Sequence, residues 1–420
     1  MPFHPEAPQP NLSQSLPAVV TQKDCLSTDR ACAVCRSPLG SLLYRQRFSA
    51  ISGGQLLDGY DVVYCKVCGF CFASPLPDQS AFDQYYREMS KYEHFERGGQ
   101  VSEYDLARFC DVAGVIEEFL PSPETRILEI GCANGKLLSL LKENGYANVA
   151  GVDPSPGCAE IARRLYGVPV TVSTLSDVSL PDGSVDFLIM IGVLEHVRDL
   201  ESALKTLSKS LAIDGRFFIS VPDASRYTRG SDAPFQEFSV EHINFFGPLS
   251  LANLMARHGF KEVAYRQTLI DPSYKTSTPV LHAVYRKTSS FRPVVKDEET
   301  SAELAAYVSQ SEEVDQRVHR AIDEVVCRRL PILIWGTGAH TLRLLHSSRL
   351  AEAQIHAFVD SNPHYQGRHL NAAPIIAPAT LTDYPGLPIL ISSRVYQDEI
   401  CSIIRDEMKL SNELITLYEL

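Results

Sequence analysis

Strands and helices alternate regularly in the middle of this chain, and the alternation restricts its fold more than any other feature of the sequence. Apolar runs typical of buried strands (RILEIG, NVAGVD, VPVTV, DFLIMIG, GRFFISVP) are separated by amphipathic segments such as GKLLSLLKENG and ESALKTLSKSLA. Strands that alternate with helices of about 10–15 residues form right-handed βαβ units. Two alternating runs, KEVAYRQTL and VLHAVYRK, suit an antiparallel hairpin. The sequence therefore predicts an α/β domain whose seven-stranded, mostly parallel sheet ends in an antiparallel hairpin.

Five of the eleven cysteines lie between Cys32 and Cys71, in a stretch of short strands and turns. The pairs Cys32-x2-Cys35 and Cys65-x2-Cys68 are two knuckles, each of which aims two sulfur atoms at one point. Together they can complete a tetrahedral four-cysteine zinc site, and because this shell is closed to water the zinc would be structural. Cys71 is left as a core residue or an alternate ligand. Four buried free thiols are the competing interpretation.

The domain organisation follows from length and from changes in composition. A chain of 420 residues suggests two or three domains at about 150 residues each. A segment rich in Pro, Gln and Ser precedes the cysteines, and a second strand–helix alternation begins at PILIWGTGAH. The predicted segments are a flexible tail (1–30), a zinc-binding module (31–75), a helical connector (76–103), the central α/β domain (104–287), a helical linker (288–325) and a small Rossmann-like α/β domain (326–420).

Charge and hydropathy exclude several functional classes. The formal net charge of −12 argues against nonspecific binding to nucleic acid, which requires clustered Lys and Arg. No apolar run approaches the roughly 18 residues that span a bilayer, and residues 1–20 lack the features of a signal peptide. We therefore expect a cytoplasmic enzyme that acts on a small molecule and binds neither nucleic acid nor membrane, in an oligomeric state that is left open.

A glycine-rich turn, Glu129-Ile-Gly131-Cys-Ala133-Asn-Gly135, follows the first strand of the alternation and opens a helix. Glycines in such a turn let the backbone approach a ligand closely. Asp153 ends the next strand, where a carboxylate can accept hydrogen bonds from both hydroxyls of a ribose. The G-x-A-x-G spacing differs from the G-x-G-x-x-G of dinucleotide-binding folds. These residues favour a ribose-containing ligand at this edge of the sheet.

With this turn, the segment IMIGVLEHV after the fourth strand and the closing hairpin, residues 104–287 closely resemble a class I S-adenosylmethionine-dependent methyltransferase. The resemblance implies that Gly131, Ala133 and Gly135 line the methionine part of the cofactor, although the family usually has Gly where Ala133 stands. It places Glu129 beneath the turn and the ribose on Asp153. It assigns the remaining cofactor contacts to residues after the third and fourth strands: Leu175, Ser176, Asp177, Ile191 and Gly192.

The order of zinc module, methyltransferase domain and small C-terminal domain resembles the nucleotide-sugar C-methyltransferases of deoxysugar biosynthesis. Their catalytic segment, Tyr-x-Glu-His, corresponds here to Ser239-Val-Glu241-His242. The resemblance implies that His242 is the base that removes a proton beside a ketone, and that Glu241 orients it or holds sugar hydroxyls. It places His196, from VLEH, on the substrate side. Since Ser239 replaces the tyrosine, O- or N-methylation of another metabolite is the alternative, with His242 bonded only to backbone.

Two further features carry open interpretations. The same resemblance suggests aromatic cofactor or substrate contacts from Tyr86 and Tyr92, which are equally suited to packing a helix. In the C-terminal domain Gly336-Thr-Gly338-Ala-His340 follows a strand, and Asp360 ends the next one. That turn suggests nucleotide binding, and with it an NAD-dependent oxidoreductase or nucleotide-binding module as a rival function, or a scaffold role. The family resemblance favours a wall of the sugar-nucleotide cleft.

Overall fold

The computed structural model describes residues 26–52, 55–88, 103–273, 275–289 and 292–418. The predicted tail therefore lies largely outside the described residues, as does Tyr92. Numbered in chain order, the strands are β1 (Leu26–Ser27), β2 (Leu39–Arg47), β3 (Gly59–Cys65), β4 (Cys71–Ser74), β5 (Ile127–Ile130), β6 (Val149–Asp153), β7 (Val170–Val172), β8 (Val185–Ile191), β9 (Leu211–Pro222), β10 (Asn244–Phe245), β11 (Phe260–Ser273), β12 (Thr276–Lys287), β13 (Ile332–Trp335), β14 (Ile355–Val359), β15 (His369–Leu370), β16 (Ala373–Ile376), β17 (Ile389–Ile391) and β18 (Leu414–Thr416). The α-helices are α1 (Gln79–Glu88), α2 (Glu103–Glu117), α3 (Lys136–Glu143), α4 (Pro156–Ile161), α5 (Leu200–Ser210), α6 (Pro248–Arg257), α7 (Glu299–Arg328), α8 (Ala339–Ser347) and α9 (Gln397–Ser402).

The central sheet has the strand order β11-β12-β9-β8-β5-β6-β7. Strands β9, β8, β5, β6 and β7 are parallel, while β12 pairs antiparallel with both β9 and β11. Strand β8 is apolar and almost wholly buried, as expected for a parallel strand with helices on both faces. The predicted seven-stranded sheet with an antiparallel closing hairpin is confirmed. Its carboxyl edge carries the turn 131–135, Asp153 and the segment that follows β8.

The N-terminal sheet has the order β1-β2-β3-β4-β10 and is antiparallel throughout. Its last strand, β10, belongs to the segment that follows β9 of the central sheet, more than a hundred residues after β4. Asn244 pairs with Phe72, and Phe245 pairs with Cys71. The cysteine module is thus joined by backbone hydrogen bonds to the segment that contains His242. Strand β1 starts before residue 31, where the sequence places the beginning of the module.

The C-terminal sheet has the order β15-β16-β14-β13-β17-β18 and is parallel except for the pair β15 and β16. Helix α7 spans 30 residues and buries apolar side chains against both flanking units. A buried ion pair joins α7 to α8, because Arg343 contacts both carboxylate oxygens of Asp315 at 2.6 and 2.7 Å. The Arg343 guanidinium also lies 5.0 Å from the ring centroid of Phe235. The predicted small α/β domain is therefore packed onto the rest of the chain.

Candidate active site

The glycine-rich turn 131–135 joins β5 to α3 at the carboxyl edge of the central sheet. Its backbone is left-handed at three positions, with φ of 72° at Gly131, 45° at Ala133 and 75° at Gly135. A Cβ atom on Gly131 would lie 2.4 Å from Cγ2 of Val193, so only glycine fits there. Because the side chains of Cys132 and Asn134 are buried, the turn exposes only backbone and the Ala133 methyl group at the carboxyl edge of the sheet.

Asp153 fastens this turn to the neighbouring strand. Its Oδ2 accepts a hydrogen bond from the N–H of Ala133 at 2.8 Å, and its Oδ1 accepts one from the N–H of Ser155 at 2.9 Å. The first bond holds Ala133 in its left-handed conformation. Carboxylate oxygens can each accept more than one hydrogen bond, so these contacts are compatible with ribose hydroxyls as additional donors.

Glu129 lies at the end of β5, beneath the turn, and is 4% exposed. Its Oε2 has no hydrogen-bond partner among the residues that the structure describes. Burial, and secondly the negative charge of Asp153, raise the pKa of the Glu129 carboxyl to about 8. Two acidic groups this close in a buried setting favour a ligand that carries positive charge.

A cavity of about 230 Å³ lies beside Asp153, between the loops that follow β6 and β7. An ion pair between Arg87 of α1 and Asp177 forms part of its rim. Leu175 does not line the cavity but packs against the core, and the hydroxyl of Ser176 donates to Oδ1 of Asp83 in α1 at 3.3 Å. The lining residues are Arg87, Pro154, Pro156, Val172, Ser173, Thr174 and Asp177. The cavity therefore opens next to the carboxyl ends of β6 and β7.

Two histidines face each other where β8 ends. His196 lies in a short 3-10 turn, Leu194–His196, and its Nδ1 is 3.0 Å from the carbonyl oxygen of Glu241. The Nδ1 atom of His242 is 3.2 Å from the carbonyl oxygen of Glu237. The ring centroids of the two histidines are 5.0 Å apart. Because each Nδ1 contacts a backbone carbonyl, Nε2 is the ring nitrogen that can exchange a proton with a substrate.

Three tyrosine side chains lie beside His196 and Glu241. Tyr85 donates a hydrogen bond to Oε1 of Glu241 at 2.9 Å, and the ring of Tyr86 meets His196 edge to face with a centroid distance of 5.9 Å. The hydroxyl oxygen of Tyr86 is buried and has no hydrogen-bond partner within the described ranges. Tyr365, from the C-terminal domain, interacts with Tyr85. The tyrosines therefore supply hydroxyl groups from two different parts of the chain.

Ser239, which stands where the resembled family has tyrosine, has a local structural role. Its Oγ accepts hydrogen bonds from the N–H groups of Glu241 and His242, at 3.3 and 3.1 Å. Its carbonyl oxygen accepts a hydrogen bond from the Tyr60 hydroxyl at 2.8 Å. The serine thus closes a turn that places Glu241 and His242.

The four cysteines of the two knuckles come together at one end of the N-terminal sheet. Their sulfur atoms all lie within 4.8 Å of one another, and the pairs Cys32–Cys68 and Cys35–Cys65 are each 3.4 Å apart. A zinc ion bonded to four thiolates at about 2.3 Å holds the sulfur atoms roughly 3.8 Å apart, so the arrangement fits this ion. The spare thiol, Cys71, is buried and contacts the carbonyl oxygen of Gly69 instead.

The turn after β13 in the C-terminal domain repeats the arrangement of the turn after β5. The N–H of Thr337 donates to Oδ2 of Asp360 at 2.9 Å, while Oδ1 of Asp360 accepts from the N–H of Asn362 at 2.8 Å. Gly336 has a φ of 111°, and a Cβ atom on Gly338 would meet no atom within 4 Å. The Asp360 carboxylate therefore fixes the turn of its own domain, as a scaffold role requires.

Comparison with known proteins matches residues 104–265 to a family model described as a methyltransferase domain. Residues 329–416 match a second model, described as C2185-like, N-terminal. The C-methyltransferase NovU of Streptomyces niveus is 23% identical over 332 residues, which cover 76% of this chain and 76% of that protein. This chain is an S-adenosylmethionine-dependent methyltransferase.

Other relatives resemble this methyltransferase over shorter stretches. An uncharacterized methyltransferase of Staphylococcus carnosus is 30% identical over 113 residues, or 26% of this chain and 54% of that protein. The crystal structure of 1,6-didemethyltoxoflavin-N1-methyltransferase from Burkholderia thailandensis, 21% identical, covers 54% of this chain and 99% of its own, with a TM-score of 0.41. Among the described residues of the methyltransferase, no helix has the length and apolarity needed to cross a membrane.

Sequence reasoning had named only part of the side chains that meet at this edge of the sheet. It pointed to Glu241, His242 and His196, which lie together, and to the turn residues with Asp153. Ile191 and Gly192 lie at the end of β8, where Gly192 is left-handed with a φ of 64°. Sequence reasoning missed Tyr85 and Tyr365 of the methyltransferase, because their contacts with Glu241 and with each other join distant parts of the chain. It also missed Glu237, which is only five residues before His242 but whose carboxyl is oriented by the fold of its loop. The cofactor and catalytic roles of the named residues stay predictions.

We expect the affinity of the methyltransferase for its cationic cofactor to rise several-fold between pH 6.5 and 8.5. At the lower pH the Glu129 carboxyl holds a proton, since its pKa is raised to about 8, and the bound cation favours the charged carboxylate. Binding should therefore release a proton, which titration calorimetry in buffers of different ionisation enthalpy measures directly. Glu129→Gln should remove the pH dependence. An affinity of the wild type that is flat over this range would show that no cation binds near Glu129.

Proposed function

We propose that this enzyme transfers the methyl group of S-adenosylmethionine to the carbon beside the ketone of a nucleotide-linked deoxysugar. The observation that carries the proposal is the pairing of His196 and His242, 5.0 Å apart, beside a glutamate that a tyrosine holds in place. C-methylation requires a base for the proton next to the ketone and a donor for the enolate oxygen, and this cluster offers both. The 23% identity to a C-methyltransferase over most of the chain adds support.

The turn 131–135, Glu129 and Asp153 would hold the cofactor. The backbone of the turn would face the methionine part, and Glu129 would supply negative charge to its cationic end. Asp153 would accept hydrogen bonds from the ribose, with the base in the cavity lined by Thr174 and Asp177. When bound, the sulfonium supplies an electrophilic methyl group and leaves as a neutral thioether, so the enzyme needs no acid for the leaving group.

His242 would accept the α-proton at Nε2, because its Nδ1 contacts the Glu237 carbonyl. The electron pair of the broken C–H bond would form the enolate, whose carbon is the nucleophile that the methyl group of bound S-adenosylmethionine would join. The buried hydroxyl of Tyr86 is suited to donate to the enolate oxygen, since it has no partner within the described residues and lies beside His196. Glu241, fixed by Tyr85, would accept hydrogen bonds from sugar hydroxyls. Alignment of the carbon with the methyl group supplies much of the rate enhancement.

The C-terminal domain would form a wall of the acceptor cleft. Tyr365 reaches the Tyr85–Glu241 pair from the segment that follows β14. The same domain is bonded to the central domain nearby, where Arg394 donates to the hydroxyl of Ser231 at 3.3 Å. In this proposal the C-terminal domain contacts the nucleotide part of the acceptor, and the cleft as a whole binds a small molecule.

We also propose a structural zinc ion on Cys32, Cys35, Cys65 and Cys68. All four ligands are thiols, three of them buried, and none of the positions is open to water, which suits a structural and not a catalytic ion.

Solvent exchange tests the proposed reaction without requiring methyl transfer. A dTDP-linked 4-keto-deoxysugar incubated with the enzyme and S-adenosylhomocysteine in D₂O should gain deuterium at the carbon next to the ketone, read by mass spectrometry. The product made with S-adenosylmethionine should carry the new methyl group on that carbon. Absence of exchange, together with methylation at oxygen or nitrogen, would instead favour the alternative that the serine at position 239 leaves open.

A further inference from the structure

The carboxyl group of Glu237 lies next to the imidazole of His242, a contact that the sequence does not indicate. Oε2 of Glu237 lies 3.8 Å from Nδ1 of His242, and the carbonyl oxygen of the same glutamate lies 3.2 Å from that nitrogen. Glu237 is 8% exposed. Among the described residues, His242 is the one basic group within ion-pair distance of this carboxylate. The side-chain carboxyl and the backbone carbonyl of Glu237 therefore both lie near Nδ1 of His242.

The surroundings of Glu237 make its charge depend on a nearby cation. The N–H of Glu237 donates to the Tyr307 hydroxyl of α7 at 3.2 Å, and Tyr227 and Asp232 share with it a small cavity of about 40 Å³. Burial raises the pKa of Glu237 to about 8, and the negative charges of Asp232 and Glu195 add to this effect. A carboxyl group in such a setting becomes charged readily only when a positive charge forms beside it.

We propose that Glu237 is a positioning residue for His242, which fixes Nδ1 as the donor and provides the countercharge to the imidazolium that forms when Nε2 takes the substrate proton. This inference rests on the proposed function insofar as it concerns catalysis. A hydrogen bond from Nδ1–H fixes the tautomer in which Nε2 is the base. The buried carboxylate then stabilises the protonated ring in a medium of low dielectric constant, where the attraction between unlike charges is strongest.

The test compares Glu237→Gln with a matched control, Asp232→Asn. Both replacements neutralise a carboxyl group whose pKa is raised by burial, but Asp232 bonds to its neighbour Ala233 and makes no hydrogen bond or ion pair to His242 among the described residues. The ¹⁵N NMR signals of His242, assigned by their loss in His242→Asn, report both the tautomer and the pH at which the ring is protonated. This readout needs no substrate.

We expect Nδ1–H in the wild type, and protonation of His242 at a pH lower by at least about 1 unit in Glu237→Gln. Asp232→Asn should shift the pH at which His242 is protonated by less than Glu237→Gln does. Methyl transfer and deuterium exchange should fall at least about tenfold in Glu237→Gln, with KM nearly constant and the pH profile displaced. The melting temperature of Glu237→Gln at pH 8.5 should not fall. A carboxyl whose pKa is raised in the folded state lowers the stability of the fold as the pH rises from about 4.5 to about 8, whereas glutamine does not titrate.

An unchanged tautomer and protonation pH of His242 in Glu237→Gln would overturn the inference, whatever the acceptor is. If this variant does not fold, protonation of Nε2 and not Nδ1 in the neutral ring of the wild type would overturn it equally. If the NMR shift is found but the wild type exchanges no deuterium into a 4-keto sugar, the role of Glu237 toward His242 holds and the proposed reaction is wrong. The two failures are thus distinguishable.

Discussion

Replacing His242 with Asn is expected to lower turnover by about 10²–10⁴-fold while binding of S-adenosylmethionine stays near the wild-type value. Asparagine keeps a polar group of similar size next to the Glu237 carbonyl but cannot take up a proton. Deuterium exchange at the carbon next to the ketone should vanish in the same variant, since exchange requires removal of that proton. Steady-state kinetics, calorimetry with S-adenosylhomocysteine and mass spectrometry measure these three quantities.

His346→Asn is the matched control, because this histidine is exposed on α8 in the C-terminal domain. It should leave turnover and exchange unchanged. Should His242→Asn methylate at the wild-type rate, His242 would be a packing residue bonded to backbone. Methylation at oxygen or nitrogen would then be the better interpretation of the site.

Replacing Cys65 with Ser is expected to abolish stoichiometric zinc and to lower the free energy of unfolding by several kcal/mol. Apparent zinc affinities of small four-ligand modules are about 10–16 kcal/mol, and three remaining thiolates hold the ion far less well. Elemental analysis should find one zinc per wild-type chain purified without chelator, and chemical denaturation should report the loss of stability. Cys327→Ser, which removes an exposed thiol on α7, is the control and should retain both the zinc and the wild-type free energy of unfolding.

The same cysteine variant should also lose methyl transfer, although the thiols lie outside the proposed acceptor site. Strand β4 pairs with β10, and the N–H of Ala73 donates to the carbonyl oxygen of Ile243 at 2.9 Å. Arg30 donates to the same carbonyl at 2.9 Å and to Oδ1 of Asn244 at 2.8 Å. The N-terminal module therefore holds the segment that carries His242. Wild-type protein without zinc but with full stability and activity would contradict both expectations.

Local sequence determined the elements because local forces form them. The apolar runs became β5, β6, β8 and β9, and the strict alternation in KEVAYRQTL and VLHAVYRK became the antiparallel pair β11 and β12. The turn 131–135 was recognisable because left-handed backbone at Gly131 and Gly135 requires glycine. Methyltransferase activity could be inferred from the family resemblance that this turn, the segment IMIGVLEHV and the closing hairpin carry together.

The acceptor site depended on contacts that sequence separation conceals. Nothing in the sequence around Ser239 indicates that its hydroxyl closes a turn, or that Tyr60, in the N-terminal sheet, donates to its carbonyl. In the sequence Glu237 is one acidic residue in a loop; only the folded chain shows its Oε2 3.8 Å from Nδ1 of His242.

Tyr365 of the C-terminal domain likewise contacts Tyr85 of helix α1, a proximity that the sequence does not indicate. Sequence alone therefore determined the secondary structure, the central sheet, the cysteine cluster and the glycine-rich turn, because each follows from periodicity or from local spacing. The tertiary structure decided how the Glu237 carboxyl is oriented toward His242 and which tyrosines lie beside Glu241 and His196, because burial and long-range packing, including the pairing of β10 with β4, fix this segment.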